Sequence, residues 1–154
     1  MDHIENGTAV DDRSFLDALD AGGTLAELQG ITLEMGDVIA ALAEAELEAG
    51  RVETARAILE GLVATNHLDP GAWALLSRAH RRLGQPLAAR FCAEVAARLA
   101  PTDPVVRLAR AESLLAAAAD REAGRAELGR LAADARVGDR ASALLAALGV
   151  NLSE

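Results

Sequence analysis

Apolar residues recur with a helical period along most of the chain, and a pair of glycines interrupts the first such stretch. In "SFLDALD" the apolar residues Phe15, Leu16 and Leu19 stand at i, i+1 and i+4, which places them on one face of a helix. The sequence therefore predicts a short helix that ends at Gly22 and Gly23, one of which takes the left-handed conformation of a C-terminal cap.

The residues on either side of this helix set the predicted boundaries. Thr24 and Glu27 have the spacing of a capping box, which predicts a second short helix directly after the glycines. Residues 1–12 are polar and acidic, with little apolar surface to bury, and predict a mobile tail. We therefore divide the chain into this tail, a helical extension over 13–31 that we expect to mediate dimerisation, and a repeat array over 32–150.

An internal repeat begins after the extension. When "AGRVETARAIL" is aligned with "LGQPLAARFCA", Gly50 matches Gly84 and Ala55 matches Ala89, each pair lying 34 residues apart. This is the period of tetratricopeptide repeats, each of which consists of two helices. The glycines allow a tight turn between paired helices, the alanines allow close helix approach, and Trp73 is expected to fill the space between adjacent pairs.

A third helix pair follows, with a less regular sequence. It starts at Pro104, its second helix begins near Asp120, Ala118 replaces the turn glycine, and Ala123 takes the place of Ala55 in the alignment. A last helix over 139–148 would cover the exposed end of the array, as terminal units of solenoids do. The predicted fold class is all-α: a tetratricopeptide-like α-solenoid of three helix pairs, with an N-terminal helical extension and a C-terminal capping helix.

Composition narrows the range of partners. The net charge of −9 disfavours binding to nucleic acid or to anionic lipid. No apolar run reaches the ~18 residues of a membrane span, and the N-terminus lacks the basic and apolar regions of a signal peptide. These features predict a soluble cytoplasmic protein with no membrane span.

The reactive side chains show no catalytic or metal-binding pattern. His3, His67 and His80 have no metal-ligand spacing with one another or with Cys92, which we expect to be a buried, inert thiol. Ser77 and His80 could touch on one helix, but no orienting acid or oxyanion element accompanies them. We therefore expect no enzyme activity, no cofactor and no metal site.

The concave face of a helical solenoid is the remaining candidate site, because it forms a groove that fits an extended peptide. Leucines there could form pockets for apolar anchor side chains, while arginines could bind peptide carbonyls or carboxylates. The repeat register places the following residues in this groove: Ala40, Glu44, Leu47, Ala74, Arg78, Arg81, Leu108, Glu112 and Leu115.

Several segments together resemble the class II chaperones of bacterial type III secretion, the tetratricopeptide chaperones of translocator proteins. They are "FLDALDAGGTLAEL" before the first repeat, "EAGRVETA", "RRLGQPLAA" and "RAESLLAA". The resemblance covers about residues 14 to 148. It implies a bacterial cytoplasmic protein that holds an extended N-terminal segment of a secreted, hydrophobic translocator in its concave groove and keeps it soluble before export, without ATP hydrolysis.

The resemblance also implies homodimerisation through the N-terminal helices. In this sequence that role falls on Phe15, Leu16, Leu19, Leu25 and Leu28. Groove positions that are aromatic in the family are Ala40, Glu44 and Leu47 here, which predicts a client motif that is weaker or more aliphatic than usual. The alternative is a generic tetratricopeptide adaptor for protein–protein interaction, since the repeat motifs alone occur in proteins with many different partners.

Overall fold

The computed structural model describes residues 12–150, and the side chains of residues 16–149. The predicted mobile tail over 1–12 lies outside this range except for Asp12, which begins the first helix. The described residues form helices and no strand, in agreement with the predicted all-α class. The helices are α1 Asp12–Asp20, α2 Leu25–Leu28, α3 Leu33–Glu48, α4 Val52–Thr65, α5 Pro70–Arg82, α6 Pro86–Leu99, α7 Pro104–Leu114, α8 Arg121–Leu131 and α9 Gly138–Val150.

The glycine pair ends α1, and its two members do so for different reasons. Gly22 has a φ of +86°, in the left-handed region that favours glycine. A Cβ on Gly23 would lie 2.8 Å from the carbonyl oxygen of Ala18, which accepts a hydrogen bond from the Gly23 amide. Thr24 and Glu27 then form both hydrogen bonds of the capping box. The predicted order of helix, glycine cap and second short helix is confirmed.

The helices α3 to α8 form three antiparallel pairs, as the repeat predicts. Gly50 and Gly84 turn the chain between paired helices with φ values of +79° and +69°. Ala55 and Ala89 have no exposed surface, because each second helix packs closely on its partner at that point. Trp73 contacts both the core of the first two pairs and the apolar cluster between the second and third pairs, and so fills the space predicted for it.

The third pair departs from the predicted register by one residue. Its connection runs from residue 115 to residue 120, and Ala118 does not take the left-handed conformation of the glycine that it replaces. The longer turn shifts α8, so that Gly124, and not Ala123, occupies the fourth helical position where Ala55 and Ala89 stand in α4 and α6. Ala123 is exposed, and its predicted place at the helix contact was wrong.

The last helix covers the end of the array. It packs against α8 over the predicted range and extends slightly beyond it at both ends. Val137 and Ala141 are buried there together with Leu128 and Leu131 of α8. At the other end of the molecule, α1 packs against α2, and α2 packs on α4.

Candidate functional site

The first helices of successive pairs, α3, α5 and α7, lie side by side, with α5 in contact with both of the others. Between them is an open pocket of about 280 Å³, which we call the aliphatic pocket. Its apolar lining comes from α5 and α7, and charged residues of α3, α5, α7 and α9 complete it. The lining residues are Glu44, Ala74, Leu75, Arg78, Val105, Leu108, Ala109, Glu112 and Arg140.

A buried carboxylate connects three helices at the edge of this pocket. The side chain of Glu112 on α7 is only 7% exposed. Its carboxylate lies 2.5 Å from the Arg81 guanidinium of α5 and accepts a hydrogen bond of 3.1 Å from Arg140 of α9. Burial lowers the pKa of Arg81; the Glu112 charge opposes this effect, while the charges of Arg140 and Arg78 add to it. The electrostatic balance of this region therefore depends on Glu112.

Four arginines surround a second open pocket of about 340 Å³, which we call the arginine pocket. Its lining residues are Arg78, Arg81, Arg82 and Arg140. Arg78 and Arg140 also line the aliphatic pocket, so the two pockets adjoin. Arg78 forms an ion pair with Glu48 of α3, and this hydrogen bond lowers the pKa of the Glu48 carboxyl below its ordinary value.

The structure brings most of the residues predicted for the groove together. Glu44, Ala74, Arg78, Leu108 and Glu112 line the aliphatic pocket, and Arg81 lines the arginine pocket.

The three remaining groove residues have other surroundings. Ala40 packs against the core of the first two pairs, and Leu115 packs against the cluster under α9. Placing Leu47 in the groove was wrong: its side chain has no exposed surface and lies in the core with Leu59. On α3 the neighbouring Glu44 and Glu48 lie near Arg78 instead.

Sequence reasoning missed several lining residues. Leu75, Val105 and Ala109 follow from the helical period of α5 and α7 once the correct face of each helix is known. No sequence pattern indicates Arg140 or Arg82. Arg140 belongs to the capping helix, and Arg82 is the last residue of α5. A repeat register does not predict which side chain of a capping helix reaches the groove.

The residues predicted for dimerisation lie on α1 and α2. Leu16 is exposed, while Leu19, Leu25 and Leu28 are partly buried. The side chain of Phe15 lies outside the described part of the chain. Further exposed apolar side chains, absent from the sequence prediction, occupy α3 at the same end of the array: Leu33, Met35, Val38 and Leu42.

The candidate nucleophiles have structural roles. Ser77 is buried and donates a 2.7 Å hydrogen bond to the carbonyl oxygen of Ala89, and His80 hydrogen-bonds Gln85. Burial raises the pKa of the Cys92 thiol to about 11, which keeps it protonated and inert near neutral pH. Among the described residues, no group of three or more histidine, cysteine or carboxylate side chains is placed to hold a metal ion. None of the described helices is long and apolar enough to cross a membrane.

A further pocket, of about 540 Å³, lies away from the groove. It is open to solvent and is bordered by α2, the start of α3, the end of α4 and the start of α5, with Ile31, Leu33, Leu62 and Leu68 among its lining residues. No sequence motif indicated this cavity. It marks the place where the N-terminal extension meets the array.

Comparison with known proteins supports the architecture. The tetratricopeptide repeat family matches residues 17–79, whereas no curated protein matches the chain. A type III secretion complex from Aeromonas hydrophila superposes with a TM-score of 0.72 at 23% identity, covering 90% of this chain and 97% of the other. PcrH of Pseudomonas aeruginosa, in complex with the chaperone-binding region of PopD, superposes with a TM-score of 0.62 at 21% identity. The match covers 80% of this chain and 98% of PcrH.

The translocator chaperone SycD of Yersinia enterocolitica is also similar. It superposes with a TM-score of 0.68 at 25% identity, covering 82% of this chain and 98% of SycD. By this likeness, the chain has the fold of the tetratricopeptide class II translocator chaperones of type III secretion, and the comparison supports the predicted resemblance to that family.

Proposed function

We propose that this protein is a type III secretion chaperone that binds an extended segment of a hydrophobic translocator in its groove and keeps it soluble before export. The observation that carries the proposal is the aliphatic pocket, an open apolar site between α5 and α7 in a fold that SycD shares. SycD is seen with a peptide of the translocator YopD, and PcrH with the chaperone-binding regions of PopD and PopB.

The pocket's composition indicates how the client would be held. Its apolar lining consists of alanine, valine and leucine, with no aromatic side chain. Affinity then comes from burial of aliphatic surface, at about 25 cal/mol per Å², and from hydrogen bonds to the arginines at the edge. We infer a binding protein rather than an enzyme, acting in the bacterial cytoplasm, where the translocator is made.

The test is co-expression with the translocators encoded in the same genome. With the wild-type chain, translocator should remain in the soluble fraction and co-purify. Val105→Glu places a charge in the aliphatic pocket from a residue that is 39% exposed. We expect it to reduce capture about tenfold or more, because burying an unpaired charge opposes burial of the client.

Leu99→Glu is the matched control, since Leu99 is 37% exposed and lies outside the pocket on α6. It should leave capture unchanged, and circular dichroism should show both variants folded. Translocators that stay insoluble with the wild-type chain, or equal loss in both variants, would refute the proposed function. Capture by the chain of non-secreted proteins alone would support the generic adaptor instead.

We also propose that the chain forms a homodimer through its N-terminal end. Leu16 is 58% exposed on α1, and the exposed side chains of α3 add apolar surface at the same end. Exposed apolar side chains in such number are a common feature of interaction surfaces. SycD, for comparison, has been crystallised in an alternative dimer.

Sedimentation equilibrium at micromolar concentrations tests this assembly. The wild-type chain should sediment as a dimer and Leu16→Glu as a monomer, because the substitution would bury a charge in the interface. Leu87→Glu, on an exposed site of α6, should remain dimeric. A wild-type chain that sediments as a monomer would disprove the dimer.

A further inference from the structure

The arginine pocket concentrates positive charge within an acidic protein. The chain carries a net charge of −9, yet the pocket's four lining residues are all arginines. Three of them belong to the last turns of α5, and Arg140 reaches them from α9. Such a concentration of like charge is unfavourable unless anionic groups compensate it.

The carboxylates nearby compensate the pocket only in part. Glu112 lies between Arg81 and Arg140, while Glu48 and Glu44 lie near Arg78. Arg82 donates to the backbone carbonyl of Leu47 and has no carboxylate partner within ion-pair distance among the described side chains. Three carboxylates therefore face four guanidinium groups.

The arginines of the pocket also do not use all of their hydrogen-bond donors within the described part of the chain. Each guanidinium carries five N–H donors in a fixed fork that matches a carboxylate. Within the described part of the chain, the Nε atom of Arg81 is buried without a hydrogen-bond partner. The pocket thus combines excess positive charge with unused donors, which is the chemistry of a receptor for a carboxylate.

The position of the pocket identifies which carboxylate it would bind. Because Arg78 and Arg140 line both pockets, the two pockets adjoin, and a peptide with an aliphatic side chain in one has its neighbouring residues close to the other. An extended peptide rises about 3.3 Å per residue, so neighbouring side chains can reach both. A carboxylate arriving there would exchange its hydration for the donors of several arginines.

We propose that the arginine pocket binds the carboxylate of an aspartate or glutamate that lies within three residues of the aliphatic anchor in the client segment. This inference rests on the proposed function and adds to it a second, charge-specific subsite. The client motif is then an aliphatic residue with an acidic neighbour. Specificity would come mostly from the acidic residue, since aliphatic side chains of similar size fill an apolar pocket almost equally well.

The first experiment is selection from a library of random peptides of about ten residues, flanked on both sides so that no free carboxyl terminus is present. The full-length chain should enrich leucine, isoleucine or valine with aspartate or glutamate within three positions. Arg140→Gln should lose the acidic preference and keep the aliphatic one. Arg136→Gln is the matched control: it removes the same charge from a side chain that is 61% exposed, against 58% for Arg140, and should keep both preferences.

The second experiment measures affinity for one enriched peptide and for its variant with the acid replaced by the corresponding amide. The wild-type chain should bind the amide variant about tenfold more weakly. Arg140→Gln should bind the two peptides within about twofold, and circular dichroism should show it folded. A double-mutant cycle of this form measures the coupling between the arginine and the acid.

The outcomes separate this inference from the proposed function. Aliphatic enrichment without an acidic preference would overturn the carboxylate subsite and leave the proposed function standing. If no peptide is enriched, the result would count against peptide binding in the groove, and the carboxylate subsite would be refuted together with it. An acidic preference that persists in Arg140→Gln would overturn the assignment to this pocket.

Discussion

Glu112→Ala should lower the free energy of unfolding by about 3 to 5 kcal/mol, the cost of removing one partner from a buried ion pair. Glu112 is 7% exposed and lies between Arg81 and Arg140. Its loss leaves those two guanidinium groups facing each other without the charge that separates them. Urea unfolding followed by far-UV circular dichroism measures the change.

Two further variants separate the effect of charge from the loss of side-chain packing. Glu112→Gln keeps the shape of the side chain but removes its charge. It should therefore lower the free energy of unfolding by most of the amount that Glu112→Ala does. Glu44→Ala removes a carboxylate that is 56% exposed and 3.8 Å from Arg78, and should cost less than about 1 kcal/mol. A Glu112→Ala variant no less stable than Glu44→Ala would contradict the argument.

The same ion network links the stability of the array to its binding surface. Arg81, Glu112 and Arg140 come from α5, α7 and α9, so the capping helix is fastened to the groove by charged side chains as well as by the apolar cluster beneath it. A client carboxylate in the arginine pocket would add a further anion to this network. Binding of client should therefore stabilise the C-terminal half of the chain, since a ligand that binds only the native state raises its stability.

The fold was largely predictable because the residues that define the repeat are determined by local requirements of backbone conformation and helix packing. A glycine is needed where φ is positive, and a small residue is needed where helices approach, so Gly50, Gly84, Ala55 and Ala89 are spaced as the architecture requires. The capping box at Thr24 is equally local, since the residue types and their spacing define both hydrogen bonds.

The site was less predictable because it depends on tertiary rotation. A helical period of 3.6 places Glu44, Leu47 and Glu48 on adjoining parts of one face, and only the packing of α4 and α5 decides which of them is buried. The leucine went to the core and the two glutamates remained accessible to Arg78. Arg140 was missed for a related reason. The capping helix has no equivalent in the preceding repeats, so the repeat register does not indicate which of its faces points toward the groove.

Gly124→Ala should destabilise the protein by about 2 kcal/mol, although alanine is the better helix former by about 1 kcal/mol. Gly124 stands where α8 crosses α7, and a Cβ there would lie 2.9 Å from the carbonyl oxygen of Ala111 and 3.1 Å from the Cβ of Leu114. Neither of these atoms can move without shifting the backbone of α7, so the third helix pair must separate.

Gly129→Ala supplies a control within the same helix. A Cβ at Gly129 meets nothing within 4 Å, so this variant should be more stable than wild type by up to about 1 kcal/mol, through helix propensity alone. In urea unfolding, the two variants should therefore change the free energy of unfolding in opposite directions, although both replace glycine by alanine. Equal stabilisation by both would mean that α7 and α8 do not approach closely at Gly124, and the one-residue shift of the third repeat would be wrong.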